Sequence, residues 1–478
     1  MILMGGIEYL CLFIVIFLEE SPLLRKLYSG YLRRRGKVSP VRIIVVGFLL
    51  VILLGAMLLC LPVSSADGTP TDFLSSLFTA TSATCVTGLS VVETGLHWST
   101  FGHVVLLVLI QLGGLGFMTV VIGFFSLMGK RIGLRERLVI AQAYSFSELS
   151  SVMELLKKAV RWTFLLEGFG AMILAVRFAF MMPVGRAVWM GVFHAVSAFC
   201  NAGFDIFASV DTGGSLTAFA SDPVVNLVLM MLINLGGLGF FVWDDLLRCR
   251  KWSRLAVYTK LVVLINGILV LGGFLLFLLL EWNNPATLGA MSLGEKLLAA
   301  LFQSVTTRTA GFYSIPQGNL TGASIAVTDV LMFIGGASGS TAGGVKTVTF
   351  ALVILSAAAT FRGREQVTVF RRQISQRQLL DAAAIVSLVF SLSCAGAVFL
   401  SAGNRLNFSH CLYETISALA TVGLSTGITP TLNMASRLVL IVFMFFGRVG
   451  IMTIGLAFLY SDRTRDRFRY AEEKLLIG

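Results

Sequence analysis

Four short segments, each ending in a glycine, recur along this chain at intervals of a little over a hundred residues. The separations between successive glycines are 115, 108 and 112 residues, and each segment lies between two long apolar stretches. The four segments are Val86-Thr87-Gly88, Asn201-Ala202-Gly203, Thr309-Ala310-Gly311 and Thr421-Val422-Gly423. This recurrence indicates internal repeats, so the chain is expected to fold as four similar units.

The composition places these units in a membrane. Of the 478 residues, 56% are hydrophobic and only 13% are charged, whereas soluble domains have roughly a quarter charged residues. A helix needs about 20 apolar residues to span a bilayer. Eight stretches meet this need, at about 41–62, 104–128, 160–182, 224–246, 257–280, 326–361, 379–401 and 436–460. The sequence therefore predicts an all-α polytopic membrane protein.

Four segments between the spans are too short to cross a bilayer, at about 72–87, 189–202, 297–310 and 408–422. Each has an aromatic-containing helical run and ends at the glycine, which fits a half-helix followed by an extended return. Non-helical backbone at membrane depth is tolerated where it lines a watery cavity or is buried in protein. We therefore expect four parallel repeats of outer helix, pore loop and inner helix around a pseudo-fourfold pore. The expected boundaries are 41–135, 136–250, 251–365 and 366–462, flanked by segments 1–40 and 463–478.

The basic residues are clustered along the chain. Of 37 Lys and Arg, 29 fall in five clusters, at 25–42, 130–161, 248–260, 362–377 and 463–474. This alternation is the positive-inside pattern, which predicts cytoplasmic termini and does not indicate nucleic-acid binding. Basic collars of this kind also attract anionic membrane lipids. The seven cysteines and four histidines are too scattered to indicate a disulfide framework or a metal cluster.

The glycine segments have the properties of a cation filter. A potassium ion must lose water to enter such a filter, and inward-facing carbonyl oxygens replace that shell, as in the Thr-Val-Gly segments of potassium channels. Glycine permits the positive φ that turns the carbonyls inward. The alternative for any one segment is an ordinary helix-ending glycine, but four in phase favour the filter. The predicted potassium ligands belong to Val86, Thr87, Gly88, Asn201, Ala202, Gly203, Thr309, Ala310, Gly311, Thr421, Val422 and Gly423.

A glycine-rich stretch, residues 335–347, interrupts the third inner span. It superficially resembles a phosphate-binding P-loop, but Val345 separates the glycine from the lysine and no strand precedes it. An unwound loop that crosses the cavity below the filter is the better interpretation, because glycines with Ser and Thr make it soft and polar. We predict that it is a moving gate, formed by Gly335, Gly336, Gly339, Gly343, Gly344 and Lys346.

Several charged residues fall in or near the spans. Arg448 lies in the fourth inner span, where an arginine costs about 2.5–3.5 kcal/mol on insertion scales. It is either part of a structural salt bridge or a positive charge below the filter that contacts the loop. Arg308 is predicted to brace the third filter from behind, while Glu167 and Arg177 are ambiguous. Acids in the connections near the filters would concentrate cations at the mouth, although an ordinary solvated loop would contain similar acids. These acids are Asp67, Asp72, Glu93, Asp205, Asp211 and Asp222.

On these residues the chain resembles the Trk/Ktr/HKT superfamily of potassium transporters, and within it the KtrB-type bacterial membrane subunits. The resemblance covers nearly the whole chain from about residue 40, and the 335–347 loop is its most specific motif. Trk-type relatives have two more N-terminal spans. Here only Met1–Leu18 is apolar enough to supply one, which favours a Ktr-like over a Trk-like subunit.

The resemblance implies a mechanism and an assembly. The four filter glycines and their neighbours would coordinate K+, with Gly88 in place of a serine favouring potassium over sodium. The 335–347 loop and Arg448 would form the intramembrane gate. The protein would be a homodimer in a bacterial plasma membrane, with one pore per protomer. It would sit on a KtrA-like cytoplasmic ring that binds ATP or ADP, and sodium often stimulates such systems.

Two other classes of function compete with gated, potential-driven potassium uptake. A carrier coupled to sodium or protons would favour midplane carboxylates, and Glu167 is the only clear acid that we identify in a span. A membrane enzyme would need a catalytic cluster or a nucleotide motif, and the sequence shows neither. We therefore expect a transport protein that is not an enzyme.

Overall fold

The structure is a computed structural model that describes residues 40–116, 152–209, 214–249, 251–364 and 366–450. Most of this part of the chain is helical, with one antiparallel ribbon of β1 (Thr368–Val369) and β2 (Arg372–Gln373). In chain order the helices are α1 (Pro40–Leu59), α2 (Phe73–Thr84), α3 (Thr94–His97), α4 (Thr100–Leu115), α5 (Val152–Ala179), α6 (Val184–Phe199), α7 (Pro223–Leu238), α8 (Phe240–Arg248), α9 (Val257–Glu281), α10 (Leu293–Thr306), α11 (Gly322–Phe333), α12 (Thr347–Phe361), α13 (Gln376–Asn404), α14 (Phe408–Leu419) and α15 (Met434–Val449). Met1–Leu18 and the predicted C-terminal tail lie outside the described residues.

The same order of elements occurs four times, as an outer helix, a shorter helix, an extended segment and an inner helix. The outer helices are α1, α5, α9 and α13, and the shorter helices are α2, α6, α10 and α14. The inner helices begin with α4, α7, α11 and α15. This arrangement confirms the predicted all-α fold, while the residue boundaries that we predicted between the units stay predictions.

Membrane-spanning length is found mainly in the outer helices. Among the described residues, α5, α9 and α13 are each long and apolar enough to cross a membrane, and α7 with α8 would make a fourth, bent span. Large apolar side chains on α9, such as Leu271 and Leu279, are exposed. Apolar surface of this extent is stable against lipid tails rather than water. The outer helices therefore face the bilayer.

The shorter helices start at polar caps. Asp72 accepts a hydrogen bond from the Ser75 amide at 2.9 Å at the start of α2, and Ser292 and Glu295 form a capping box on α10. Such caps satisfy amides that have no partner within the helix. The capping box starts α10 at Leu293, earlier than the predicted 297, because the Ser292 cap sets the start of the helix.

These shorter helices form the core of the molecule. Phe193 of α6, Phe302 of α10 and Tyr413 of α14 are fully buried. In α6 the helix begins at Val184, after Pro183, and not at the predicted 189. Buried helices shorter than a bilayer are re-entrant elements held by protein on all sides.

Three of the inner helices end at a glycine. A glycine in the left-handed region follows α4 (Gly116, φ 78°), α7 (Gly239, φ 86°) and α15 (Gly450, φ 91°). At Gly239 the chain bends by 93° from α7 into α8. The span predicted over 224–246 is therefore bent, because Gly239 ends α7 in a conformation that a helix cannot continue. The predicted interruption of the third inner span is confirmed between α11 and α12.

Glycines also allow the inner helices to pack against the shorter ones. A Cβ added to Gly113 would lie 2.0 Å from the Thr84 carbonyl oxygen, and one added to Gly236 would lie 2.0 Å from the Phe199 carbonyl oxygen. The repeated Gly-Gly-Leu-Gly motif that contains these two residues therefore has two roles, since its first glycine permits close packing and its last glycine ends the helix.

Candidate functional site

The four predicted filter glycines lie in one closed ring. Each one contacts the residue that precedes the glycine of the next unit. A Cβ added to Gly88, Gly203, Gly311 and Gly423 would lie 2.5, 2.8, 2.5 and 2.1 Å from the carbonyl oxygens of Ala202, Ala310, Val422 and Thr87, respectively. The units therefore follow one another around the ring in chain order, and the structure brings together all four segments that the sequence singled out.

The backbone of every filter segment alternates in the same way. The residue two before each glycine has a left-handed φ, at 57°, 58°, 64° and 51° for Val86, Asn201, Thr309 and Thr421. Side chains branched at Cβ rarely adopt this conformation, and three of these four residues are branched. Strained backbone of this kind persists only where the surroundings over-determine it, and it concentrates at functional sites.

Serine hydroxyls support the ring from behind in units 1 and 4. The Gly88 amide donates a hydrogen bond to Ser82 Oγ at 3.0 Å, and the Gly423 amide donates to Ser417 Oγ at 3.0 Å. Both serines lie in the last turns of the shorter helices. Each hydroxyl satisfies a backbone amide that the extended segment leaves without a helical partner.

Hydroxyls also hold the far ends of the other two filter segments. Ser197 Oγ donates to the Phe204 carbonyl at 2.6 Å, and Thr306 Oγ1 donates to the Phe312 carbonyl. Our sequence reasoning missed all four hydroxyl residues. A signal was present, because a serine stands six residues before the glycine in three units, but its partner becomes evident only once the segment folds back.

The glycine-rich loop, residues 335–346, crosses directly beneath the ring. Thr341 Oγ1 donates to the Phe199 carbonyl and to Asn201 Oδ1, both at 3.1 Å. On the other side, a Cβ added to Gly343 would lie 2.0 Å from Thr421 Oγ1. Units 2 and 4 are opposite each other in the ring, so a loop that touches both lies across the axis.

Backbone hydrogen bonds hold this loop to unit 2. The amides of Ala337 and Thr341 donate to the carbonyls of Gly237 and Gly236, at 3.0 and 3.3 Å. The Phe240 amide of α8 donates to the Gly339 carbonyl at 3.1 Å. The loop thereby satisfies carbonyls at the broken end of α7, which would otherwise be unpaired inside the protein.

Side chains add further contacts to the loop. Tyr258 of α9 donates through its hydroxyl to the Ser338 carbonyl at 2.9 Å. Lys346 Nζ donates to the Ala342 carbonyl at 2.7 Å, within the loop itself. The loop residues between 337 and 342 are therefore held by several single hydrogen bonds, each of which exchanges for water at modest net cost.

Arg448 joins the loop to the first unit. Its guanidinium donates to the carbonyls of Thr341 and Gly113, and to the Gly114 carbonyl at 3.0 Å. These partners place a positive charge at the C-terminal end of α4, where the helix dipole favours it. The arginine thus contacts the predicted gate loop, and its gating role stays a prediction.

Arg308 lies on the opposite side of the loop from Arg448. It is almost fully buried, and it donates to the Ile334 carbonyl and to Thr347 Oγ1, the latter at 3.1 Å. Ile334 ends α11 and Thr347 begins α12, so Arg308 touches both ends of the interrupted helix. This differs from the predicted brace behind the filter, since the side chain reaches away from the filter towards the loop.

The other charged residues that the sequence singled out have structural partners. Arg177 forms an ion pair with Asp222 at 2.7 Å, and Asp222 also caps α7. Glu167 is buried and accepts hydrogen bonds from Gln111 Nε2 at 3.2 Å, close to Cys200.

Glu167 is not the only acid inside the protein, contrary to our prediction. Asp329 lies in α11, within a stretch that we had ourselves predicted to span, and Glu414 lies in the re-entrant helix α14; both are buried. The scarcity of buried carboxylates therefore no longer argues against a coupled carrier. The described residues contain no group of three metal-ligating side chains.

The acids near the filter differ in their environments. Asp67 accepts a hydrogen bond from the Ser65 hydroxyl, which with Thr69 lowers the pKa of its carboxyl to about 2. Burial, with a contribution from Glu93, raises the pKa of the Asp205 carboxyl to about 7. Asp72 and Asp222 serve as helix caps, and Asp211 lies outside the described residues. Asp67, Asp72 and Glu93 are the acids of this set that are exposed to solvent.

Known proteins resemble this chain over nearly its full length. The potassium/sodium uptake protein NtpJ of Enterococcus hirae is 38% identical over 451 residues, which cover 93% of this chain and 99% of that protein. The Ktr system potassium uptake protein B of Bacillus subtilis is 37% identical over 446 residues, which cover 92% and 97% of the two chains. The protein of the same name from Vibrio alginolyticus is 36% identical over 450 residues, which cover 93% and 96%.

A structural comparison and a family model agree with these relatives. The crystal structure of the potassium transporter TrkH from Vibrio parahaemolyticus matches with a TM-score of 0.70 at 19% identity, and the match covers 89% of this chain and 86% of that one. The TrkH family model, described as cation transport protein, matches residues 12–466. The fold, the length of the match and the similarity to these relatives together establish that the chain belongs to the TrkH family of cation transport proteins.

Proposed function

We propose that this protein takes up potassium ions through the ring formed by its four filter segments. The observation that carries the proposal is the closure of that ring, in which each glycine meets the carbonyl of the next unit. Relatives at 36–37% identity are named as potassium uptake proteins. The family is one of transport proteins, and we assign no enzymatic step.

The ring supplies what a dehydrated cation needs. The carbonyls of the three residues in each segment replace the water shell of K+, and the alternating left-handed backbone aims them at the axis. The half-helices α2, α6, α10 and α14 end next to the ring, so their dipoles place negative potential there. Membrane potential then drives uptake, at about 2.3 kcal/mol per charge per 100 mV.

The glycine-rich loop and Arg448 form the gate in this proposal. The loop lies across the axis, and the guanidinium of Arg448 adds a positive charge beneath the filter. Opening requires the residues between 337 and 342 to leave their partners on α7, α8 and α9. The loop is suited to this motion because most of its contacts are single hydrogen bonds, and its apolar packing at Ala337, against Val242 and Val262, is small.

We extend the proposal to the assembly that the resemblance implies. The protein would be a homodimer on a KtrA-like cytoplasmic ring that binds ATP or ADP, in a bacterial plasma membrane with cytoplasmic termini and with sodium as an activator. The basic clusters of the chain support that orientation. Light scattering of the purified protein tests the dimer, since a monomeric mass would contradict it.

A second candidate is uptake that admits sodium as well as potassium. NtpJ is named for both ions, and the four filter segments differ in sequence. At their inner ends Val86 offers no side-chain oxygen, while the hydroxyls of Thr309 and Thr421 have no partner among the described residues. A ring whose four segments offer different oxygen ligands is expected to discriminate less sharply between potassium and sodium than a ring of four identical segments.

Thermal unfolding of the purified protein separates these candidates. A ligand that binds only the folded state at 100 times its Kd stabilises it by about 2.7 kcal/mol. We expect potassium to raise the unfolding midpoint and sodium to have little effect. Equal stabilisation by the two ions would favour the second candidate, and no effect of either ion would count against an ion-binding ring.

The matched variants for this measurement are two glycine substitutions. Gly423→Ser adds a side chain within the ring, whereas Gly272→Ser adds one on α9 where no atom lies within 4 Å. We expect the potassium effect to disappear in the first variant and to persist in the second.

A further inference from the structure

One position of the fourfold repeat breaks the symmetry. Three residues before the filter glycine, units 1, 2 and 4 have the small residues Cys85, Cys200 and Ala420, whereas unit 3 has Arg308. The small residues end their half-helices. Arg308 is a long cation at the same place, and only 5% of its surface is exposed. Burying this charge is costly unless the protein gives it partners.

The partners of Arg308 are the two ends of the loop. Its guanidinium donates to the Ile334 carbonyl and, at 3.1 Å, to Thr347 Oγ1. Thr347 in turn donates through Oγ1 to the Gly335 carbonyl at 2.8 Å. The described residues place no carboxylate within ion-pair distance of Arg308, so its charge is held by the carbonyl end of α11, where a cation is favoured.

Backbone hydrogen bonds also join the two ends of the loop. The Gly335 amide donates to the Val345 carbonyl at 2.8 Å, and the Thr347 amide donates to the Gly336 carbonyl at 3.0 Å. Ile334 and Val345 form a parallel bridge. The loop therefore has a closed neck, residues 334–336 with 345–347, and a separate tip, residues 337–342, which is held by other units.

Arg308 also belongs to the filter. It immediately precedes Thr309, and its own carbonyl accepts a hydrogen bond from Asn201 Nδ2 at 3.3 Å. Asn201 lies in the filter segment of unit 2. One residue therefore connects two filter segments through its backbone and the neck of the loop through its side chain.

We propose that Arg308 is a positioning residue that clamps the neck of the loop to the third filter segment. This inference rests on the proposed function. With the clamp in place, the tip moves while the neck and the filter keep their shape. Without it, the neck moves with the tip, and that displacement reaches Thr309 and Asn201 in the ring. The clamp thus separates gating from ion selection.

Arg448 provides the contrast. It contacts the loop at the Thr341 carbonyl, which lies in the tip, and it also donates to carbonyls of α4. Its removal should free the tip and leave the neck closed. Removal of the two arginines should therefore cause different defects. Loss of Arg308 should alter ion selection, and loss of Arg448 should alter basal flux.

The test measures rubidium and sodium flux in proteoliposomes for matched variants. In Arg308→Gln we expect the rubidium-to-sodium flux ratio to fall about fivefold or more, within the usual range of coupling between sites. Thr347→Val should lower the ratio in the same direction, and Arg308→Lys should restore part of it, because a lysine keeps a charged donor. Arg448→Gln should raise basal rubidium flux with the ratio unchanged.

Arg437→Gln is the control, because within the described part of the chain Arg437 donates to the Leu432 and Pro430 carbonyls, at 2.9 and 2.8 Å, at the other end of α15. An unchanged ratio in both Arg308→Gln and Thr347→Val would overturn the clamp. Thr347→Val carries the test if Arg308→Gln does not fold. A wild-type protein without preference for rubidium would instead count against the proposed function itself.

Discussion

The filter ring leaves no room for side chains at its glycines. A Cβ on any of the four would lie between 2.1 and 2.8 Å from a carbonyl oxygen of the next unit, well inside van der Waals contact. All four glycines also have a left-handed φ, which other residues adopt only at a cost. A substitution must therefore displace the carbonyls that we propose as ligands.

We expect Gly423→Ser and Gly88→Ser to reduce discrimination of potassium over sodium by about tenfold, which corresponds to 1.4 kcal/mol. The physical reason is that the new side chain pushes a neighbouring carbonyl out of the ring. Competition of sodium with rubidium uptake measures the effect. If selectivity is unchanged in both variants, the assignment of the filter is wrong.

A second prediction concerns the stability that the serine hydroxyls behind the ring provide. Ser82→Ala leaves the Gly88 amide without its partner, and a buried unsatisfied group costs about 1–3 kcal/mol. Ser76→Ala in the same helix is the matched control, because the described residues give the buried Ser76 hydroxyl no partner. The unfolding midpoint should fall for Ser82→Ala only, and equal midpoints in the two variants would contradict the role of Ser82.

Prediction from sequence succeeded for the glycines and failed for their supports. The glycines were found because their spacing is a property of the chain alone. Ser82 and Ser417 were missed because their partners lie on the return segment, and a serine in a membrane helix usually donates within its own helix. Arg308 was placed near the filter, but the direction of its side chain depends on the ends of α11 and α12.

At the next scale, the ends of three inner helices matter, because other elements of the protein satisfy their free carbonyls. Arg448 donates hydrogen bonds to carbonyls at the end of α4, the loop amides donate to carbonyls at the end of α7, and Arg308 donates to the Ile334 carbonyl at the end of α11. A helix terminus inside a membrane protein requires such partners. The loop is therefore part of the structure that stabilises the breaks, as well as the element that lies across the axis.

We expect Thr341→Val to raise basal flux several-fold, because it removes the two side-chain hydrogen bonds from Thr341 Oγ1 to unit 2, at a net cost of about 0.5–1.5 kcal/mol each. Deletion within 336–344 and Arg448→Ala should act in the same direction. Thr349→Val, on α12 outside the loop, is the control. If flux stays at the wild-type level in Thr341→Val, Arg448→Ala and the deletion, the gate lies elsewhere.

The elements themselves were largely predictable. Long runs of apolar residues predicted the outer helices, and the segments that are too short to cross a bilayer predicted the re-entrant helices. The helix ends at Gly116 and Gly239 were not predicted, because Gly-Gly-Leu-Gly also serves helix packing and the sequence does not show which role prevails. The end of α15 at Gly450 lies outside that motif and was not predicted either. The interruption of the third inner helix, between α11 and α12, was predicted because five glycines with Ser and Thr are more than helix packing requires.

On the scale of the whole molecule, four similar units enclose one axis, and the loop of unit 3 fills the space beneath the ring. Units 2 and 4 touch the loop directly, and unit 1 is connected to it through Arg448 of unit 4. Every unit is therefore connected to the element that is proposed to move. This arrangement lets one loop control a pore that all four units build.

Rubidium uptake into proteoliposomes that contain this chain alone tests the central claim most directly. An inside-negative potential is imposed, and excess potassium or sodium is added outside. The account predicts uptake that follows the potential and is suppressed by potassium but not by sodium. If the chain alone is inactive, a KtrA-like ring with ATP is added. Absence of potential-driven uptake in both conditions, or equal suppression by sodium, would contradict a potassium-selective pore.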